Sequence, residues 1–426
     1  MERIIKGAKN LKGVLNLPGD KSISHRALMT GAISRGVTRI KGLLESDDCN
    51  YTAAAFSQMG VSIKKQGNIT RVDGHGLKGL SKPAKPIYAG NSGTTMRILP
   101  GILSGQDFES TLTGEEGILA RPMKRIIKPL SRMGVRISGR EGEYPPLVIS
   151  GGRVRPVTYR LPVPSAQVKS AILYAGLYSR GITTVIEKYK SRDHTERILK
   201  FFGASVSVDK DRVSVKGGKE LIGRDLDIPA DISSAGFFMA AATLLKGSKI
   251  KIKNVSINPT RAGIIKVLLK MGADIRIVNK KRLFEPAADL VVKSAGTRGI
   301  VIDRDMIPSI IDELPVIFVV AALSKGATVI KGAEELRVKE TDRINSMQEN
   351  LRAMGARFDL KHDDIVISGV DRLRGAGLKS YDDHRTCMSM AIAALTAPDP
   401  SRIEGAESVS KSFPGFFDAL FSLTRV

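Results

Sequence analysis

Two kinds of apolar segment alternate along this chain, separated by glycine turns and strand-like runs. In the first, apolar residues recur at helical spacing, as with Ile344, Met347, Leu351 and Met354, which predicts an amphipathic helix with one face on a core. In the second, as in GFFMAAATLL from Gly236 and VIFVVAAL from Val316, nearly every position is apolar, which predicts a helix buried on all sides. Both kinds recur. The amphipathic segments end in Met or Phe, then Gly, then alternating residues: SQMGVSI at Gly60, SRMGVRI at Gly134, KFFGASVSV at Gly203, LKMGADIRI at Gly272 and RAMGARFDL at Gly355, with intervals of 74, 69, 69 and 83 residues. The apolar segments pass through a second set of glycines, Gly36, Gly105, Gly181, Gly247 and Gly326, into β-branched strands, with a weaker sixth copy around Asp399. A glycine just past a helix supplies the left-handed cap before the next strand. Six units of roughly seventy residues result, each reading strand, helix, strand, helix, strand, strand. They predict a pseudo-symmetric α/β assembly of βαβαββ repeats, with buried helices enclosed by sheets and outer amphipathic helices. An ordinary doubly wound sheet is the alternative, but no GxGxxG opens a helix here to support it.

At 426 residues the chain is long enough for two or three domains. No apolar run approaches the ~20 residues of a membrane span, and MERIIKGAKN lacks the apolar stretch of a signal peptide, so a cytoplasmic protein is expected. Two cysteines, Cys49 and Cys387, cannot form a disulfide framework or a four-ligand zinc cage. The unusual figure is the charge, 67 Lys and Arg against 43 Asp and Glu, or +24. Nucleic acid, an anionic membrane or small anionic substrates would each account for it. Basic residues are spread along the chain, and aromatic residues for base stacking are few at 5%, which disfavours an RNA-binding or RNA-processing protein.

Several short motifs carry candidate chemistry. LPGDKSISHRAL places Lys21, Ser22 and Arg26 after a Pro-Gly turn at the start of a helix, where cations, a hydroxyl and helix N–H groups make an anion site. It is not a P-loop, because GxxxxGK[ST] is absent. GNSGTTMR is a donor-rich turn with Asn91, Gly93, Thr94 and Arg97, and a side chain at Gly93 would intrude on any ligand there. Arg121 opens the basic segment RPMKRIIK. Asp312 and Glu313 stand at the entry of an apolar helix, where they could complement its dipole or, in apolar surroundings, provide a general base. RVKETDR packs Lys339, Glu340 and Arg343 into little more than a helical turn, and Glu340 and Arg343 share a face. YDDHR brings Asp383, His384 and Arg385 together, with Lys411 in KSFPGFF; His384 between Asp and Arg is a candidate proton carrier. No HxxH or HxxxH pair supports a metal site.

Taken in order, LPGDKSISHRAL, GNSGTTMR, ARPM, PSAQ, SRDHTERIL, IIDELP, RVKETDR, YDDHR and KSFP resemble the 5-enolpyruvylshikimate-3-phosphate synthase family across about residues 5 to 420. The resemblance implies a two-domain inside-out α/β barrel with three repeats per domain: a discontinuous domain of residues 1–19 plus 231–426 and a continuous one of residues 20–230, with the active site in the interdomain cleft. It implies transfer of the enolpyruvyl group of phosphoenolpyruvate to the 5-hydroxyl of shikimate 3-phosphate, with release of phosphate, through a tetrahedral intermediate. No covalent enzyme intermediate, metal or cofactor is implied. Lys21, Ser22, Arg26, Ser165, Ala166, Gln167, Ser191, Asp312 and Lys339 would bind the phosphoshikimate. Lys21, Asn91, Gly93, Thr94, Arg121, Gln167, Arg343, Asp383, Arg385 and Lys411 would bind phosphoenolpyruvate. Asp312 would accept the 5-hydroxyl proton and Glu340 handle the methylene proton, with Lys21 and Lys411 assisting at the oxygens and His384 in support. Lys169 joins the cations assignable to the two anions.

Some positions depart from the commonest pattern of that family. Glu115, Glu116, Gly117 and Ile118 replace Asp-x-Ser-Leu, Ala166 stands where some relatives have a second Ser, His194 where some have Tyr, and Leu336 where some have a polar residue. Gly93 is retained, as in relatives sensitive to glyphosate, which implies inhibition competitive with phosphoenolpyruvate. The sister family acting on UDP-N-acetylglucosamine begins with Lys-Asn where this chain has Lys21–Ser22, and uses a loop Cys or Asp as acid that neither Cys49 nor Cys387 matches. The partners expected are the two small anions, with no nucleic acid and no membrane, and the chain is expected to be a monomer.

Overall fold

The computed structural model describes residues 1–281, 284–361 and 364–425. The chain divides into two compact units, one of Met1–Pro18 with Pro229–Val426 and one of Gly19–Ile228.

Three sheets of one pattern build the unit Gly19–Ile228. Each holds parallel strands and a hairpin of two further strands, and in two of the three a buried helix connects the parallel pair. In one repeat, Thr158–Arg160 leads through helix Ala166–Gly176 to the parallel strand Ile182–Ile186. The outer helix His194–Phe201 then leads to the hairpin Ser205–Asp209 and Arg212–Lys216. The other two sheets centre on Ser34–Lys41 and Glu109–Thr113 and follow buried helices Lys21–Ala32 and Gly93–Leu103. The first of these takes its parallel strands from Leu221–Ile222 and Asp225–Asp227 at the far end of the unit, so the opening repeat is closed by its last residues.

The other unit repeats the scheme with buried helices Ile232–Leu244, Leu314–Ala322 and His384–Thr396. Its first sheet is completed by Asn10–Asn16, parallel to Lys249–Ser256. The weak sixth copy departs from the pattern for a visible reason. Strand Ser401–Glu404 has no hairpin after it; its antiparallel partner is the N-terminal strand Glu2–Ile5, and the last helix, Phe416–Leu423, runs into Thr424–Arg425 beside Asn10–Asn16.

The six segments of the second kind lie in the buried helices, and every residue from Ile232 to Thr243 and from Leu314 to Ala322 is buried. Within one unit Phe237 and Phe238 each lie 5.9 Å from Phe416, ring centre to ring centre, closing the core where the last helix docks. The glycines of the first series have positive φ throughout, from 83° at Gly134 to 105° at Gly272, the conformation a left-handed cap requires and a side chain resists. Gly101 serves a different end: an added Cβ would strike the Ala171 backbone, so its absence lets helices Gly93–Leu103 and Ala166–Gly176 cross in close contact.

A helix enclosed by apolar neighbours still has unpaired N–H groups in its first turn. Five of the six are met by side chains. Asp20 accepts from Ile23 N at 3.0 Å, Ser92 from Thr95 N at 3.2 Å and Ser165 from Val168 N at 3.4 Å. Asp231 accepts from Ser233 N at 2.7 Å, and Asp383 from Arg385 N at 2.7 Å and Thr386 N at 3.2 Å. Leu314–Ala322 instead carries Pro315 in its first turn, which has no N–H to satisfy.

Buried His25 ties two of these helix starts. Its Nδ1 is 2.7 Å from Thr52 Oγ1, which is 2.7 Å from Thr95 Oγ1, and Thr95 in turn donates to the capping Ser92 Oγ at 2.8 Å. Burial, with Lys21 and Arg26 nearby, holds the imidazole well below its ordinary 6.5. Below that pH the unfolded chain takes up a proton that the native chain refuses, so this group's contribution to stability falls as pH falls. Denaturant unfolding between about pH 5 and 7.5 should show a slope of up to about 1.4 kcal/mol per pH unit on the acid side, and His25→Asn should flatten it. An unchanged acid slope in the variant would show that His25 is not the group responsible.

Candidate active site

Many of the motif residues sit at the starts of the buried helices, while Lys339, Glu340 and Arg343 lie just before and at the start of the outer helix Arg343–Ala353, and each unit carries one set. In Gly19–Ile228, the Pro-Gly turn delivers Lys21 as the first residue of its helix, where Nζ pairs with Asp48 of the outer helix Asp47–Gln58. Ser22 Oγ accepts from Arg192 at 3.4 Å. Arg26, one turn further in, is 3% exposed and bonded at each of its three nitrogens: Nε donates to Thr195 Oγ1 at 2.7 Å, Nη1 to Ser22 O at 2.9 Å and Nη2 to Ser170 Oγ at 2.8 Å. It ties three helices together, and burial pulls its guanidinium down from the usual value.

The turn before Gly93–Leu103 faces two guanidinium groups. A Cβ on Gly93 would lie 2.9 Å from Arg97 Nη1 and 3.4 Å from Arg121 Nη1, so glycine there keeps the space beside both cations open. Gln167, second residue of its helix, accepts from Arg97 Nη1 at 3.0 Å and donates to Thr94 Oγ1 at 3.3 Å. The starts of helices Gly93–Leu103 and Ala166–Gly176 are thereby fixed to one another. Asn91 Nδ2 donates to Glu115 Oε2 at 2.5 Å and Tyr51 to Glu115 Oε1 at 3.3 Å, which shows what the unusual Glu115 does in its loop. Ser165 caps its helix beside Ala166, and Ser191 is buried with its hydroxyl donating to Glu187 at 2.6 Å.

In the other unit Arg343, 1% exposed, is the centre of the acidic set. Its Nε donates to Asp383 at 2.8 Å, Nη1 to Asp312 at 3.3 Å and Nη2 to Glu340. Burial alone would pull the guanidinium down; the carboxylates of Asp383, Glu340 and Asp312 more than reverse this and raise it. Arg385 donates to Asp312 O at 2.9 Å and has Nη2 3.5 Å from Asp312 Oδ2. Burial lowers the Lys339 ammonium against the attraction of Asp312. Lys411 Nζ reaches Asp382 O at 2.9 Å and Oδ1 at 2.6 Å, and buried His384 opens the helix that Asp383 caps. Asp312, Lys339, Glu340, Arg343, Asp383 and Arg385 thus form one alternating cluster of charges.

Two expectations change. The apolar run around IIDELP suggested apolar surroundings for Asp312, but its carboxylate stands between the guanidinium groups of Arg343 and Arg385, which arrive from distant parts of the sequence. Lys169 is not a cation open to a small anion: it is 0% exposed, with Nζ 2.8 Å from Glu187 and 2.6 Å from Glu196. Sequence reasoning also missed Arg261, buried against Glu313 at 2.6 Å, Ser233 and Asp231. Glu313 stood out in the sequence as an acid at a helix entry; Arg261, in NPTRAG, carried no signal of its own.

Such clusters of cations and hydroxyls at helix N-termini suit phosphate and carboxylate ligands. The chain matches the model of the EPSP synthase (3-phosphoshikimate 1-carboxyvinyltransferase) family over residues 5–420. It is 47% identical over 423 residues to a 3-phosphoshikimate 1-carboxyvinyltransferase of Brevibacillus brevis, covering 99% of both chains. To the enzyme of that name from Pelobacter propionicus it is 48% identical over 418 residues, covering 98% of this chain and 97% of the relative. Its fold superposes on an EPSP synthase structure from Acinetobacter baumannii with a TM-score of 0.89 at 43% identity, covering 99% and 98% of the two chains. An enolpyruvyl transferase from Streptomyces tendae shares the fold with a TM-score of 0.79 at 17% identity, covering 99% and 96%. With a family match over nearly the whole chain and relatives close to half identical end to end, this chain belongs to the EPSP synthase (3-phosphoshikimate 1-carboxyvinyltransferase) family.

Proposed function

We propose that this chain transfers the enolpyruvyl group of phosphoenolpyruvate to the 5-hydroxyl of shikimate 3-phosphate and releases inorganic phosphate, a step toward chorismate and the aromatic amino acids. The family match over residues 5–420 carries the reading. The two sets of residues act on the same substrate pair. Lys21, Ser22, Arg26, Ser165, Ala166, Gln167 and Ser191 from one unit, with Asp312 and Lys339 from the other, bind shikimate 3-phosphate. Phosphoenolpyruvate is bound by Lys21, Asn91, Gly93, Thr94, Arg121 and Gln167, with Arg343, Asp383, Arg385 and Lys411. The open space at Gly93 beside Arg97 and Arg121 supports a small dianion there.

In this reading Asp312 removes the proton of the 5-hydroxyl as that oxygen bonds to C2 of phosphoenolpyruvate, while the methylene carbon C3 gains a proton. The product of addition is a tetrahedral ketal phosphate. Loss of a proton from C3 then re-forms the double bond as the C2–O bond to phosphate breaks. Glu340 handles the C3 proton in both directions, held in place by Arg343. Lys21 and Lys411 neutralise charge at the bridging and leaving oxygens, and Asp383 and His384 hold the site's shape. Asp312 is suited to its part because two guanidinium groups fix its carboxylate before substrate arrives, as preorganised catalysis requires.

The chain acts as a monomer in the cytoplasm, on small anions, without nucleic acid, membrane, metal or cofactor. Two unpaired thiols fit a reducing compartment. An acid cysteine of the kind the UDP-N-acetylglucosamine enzymes use has no counterpart: burial pushes both the Cys49 and the Cys387 thiol up to about 12.

Phosphate release from phosphoenolpyruvate, measured with shikimate 3-phosphate and in parallel with UDP-N-acetylglucosamine, tests the reading. Turnover with shikimate 3-phosphate alone is expected, and turnover only with the sugar nucleotide would refute it. In the same assay Asp312→Ala should lower kcat by ~100-fold or more, the scale of a positioned general base. A near-wild-type rate would take Asp312 out of the proton transfer.

A further inference from the structure

Lys169 and two glutamates form a charged cluster inside the unit Gly19–Ile228 that none of the proposed substrate contacts uses. Its ammonium is 0% exposed, and Glu187 and Glu196 are 3% and 4% exposed. Sealing three ions from water is costly unless their geometry is good and their remaining hydrogen-bond capacity is used. Both conditions hold at Glu187. One carboxylate oxygen receives Lys169 Nζ at 2.8 Å, and the other accepts both the main-chain N–H of Ser191 at 3.0 Å and its hydroxyl at 2.6 Å. Lys169 also donates to Ser191 O at 3.3 Å. Ser191 is therefore held by its N–H, its hydroxyl and its carbonyl.

The same cluster reaches Arg26. Lys169 and Ser170 are consecutive on one helix, and Thr195 and Glu196 are consecutive on another. Lys169 pairs with Glu196 at 2.6 Å, and Ser170 and Thr195 share a hydrogen bond of 2.6 Å. Arg26 then donates to both of those hydroxyls, at 2.8 Å and 2.7 Å. Burial alone would pull the ammonium down, but Glu196 and Glu187 reverse this and raise it, so Lys169 stays a cation.

We propose that Glu187, anchored by Lys169, is a positioning residue for the shikimate 3-phosphate subsite: it holds Ser191 by the main-chain N–H, so that the hydroxyl, whose one proton rests on Glu187 in the free protein, turns to the substrate phosphate when that arrives, and Glu187 itself does not touch substrate. This rests on the reading above that Ser191 binds shikimate 3-phosphate. The group to alter is the shared carboxylate. In Glu187→Gln the side chain keeps its size, but an amide cannot receive the ammonium on one atom and both Ser191 donors on the other.

Steady-state kinetics with both substrates tests it, on Glu187→Gln, Ser191→Ala and the double variant, each first shown to unfold cooperatively. The expected result for Glu187→Gln is a KM for shikimate 3-phosphate raised ~10-fold, the loss of about one charge-assisted hydrogen bond. KM for phosphoenolpyruvate and kcat should stay within about threefold, because those contacts lie elsewhere. In the double variant the loss should be no greater than in Ser191→Ala alone, since Glu187 acts through Ser191. If Glu187→Gln does not fold, Glu187→Asp, which keeps the charge but cannot span both partners, is read the same way. Equal rises in both KM values, or losses that multiply in the double variant, would overturn the proposal. So would an unchanged KM for shikimate 3-phosphate in Glu187→Gln beside a raised one in Ser191→Ala. An unchanged value in Ser191→Ala would instead overturn the reading of Ser191 as a substrate ligand, and this proposal with it.

Discussion

Six helices buried along most of their length, each with a first turn whose N–H groups must be paired, are the constraint from which the rest of this structure follows. A helix on the surface leaves those groups to solvent; here side chains supply the acceptors, and Asp20, Ser92, Ser165, Asp231 and Asp383 do so. The residues beside the caps are then held rigidly, with helix dipoles that favour negative charge in front of them. Lys21, Gly93, Gln167, Asp312 and Arg385 all sit at such starts. One fold repeat, used six times, thus yields six places to fix a polar group in space.

Burying ions at these places is expensive, and the structure meets the cost by pairing them. Arg343 is bound by three carboxylates, Arg261 by Glu313, and Lys169 by two glutamates. Paired charges do not need to reorganise when substrate arrives, which is where electrostatic catalysis gains most. The excess of basic residues is largely a separate matter. On the exposed sheet of the unit that holds Arg343, Lys12, Lys249 and Lys293 lie side by side on adjacent strands, an arrangement that repels. The net charge of +24 therefore belongs in part to surfaces remote from the helix starts.

Patterning made the architecture legible, because burial and helical period leave a direct trace: an all-apolar run for an inner helix, a stripe for an outer one, a glycine where the helix must end. The weakness of the sixth copy was visible too, though not its cause, since strand Glu2–Ile5 comes from the opposite end of the chain. The site was legible where its residues are adjacent in sequence, as in RVKETDR and YDDHR. It was illegible where the fold brings partners together. Arg343 lies 31 residues from Asp312 and 40 from Asp383, and no local spacing marks that meeting. Lys169 misled for the same reason: a lysine two residues after Gln167 reads as a ligand-facing cation until Glu187 and Glu196 are placed around it. Arg261 had no motif to announce it, and only the fold shows it buried against Glu313.

We propose that Ser22, at a buried-helix start in one unit, and Lys339, just before helix Arg343–Ala353 in the other, both bind shikimate 3-phosphate. The direct test is calorimetric binding of shikimate 3-phosphate to Ser22→Ala and to Lys339→Met, with wild type alongside. Each change should weaken binding ~10-fold or more, the cost of losing a hydrogen bond or ion contact to a charged ligand. Full affinity in either variant would contradict it.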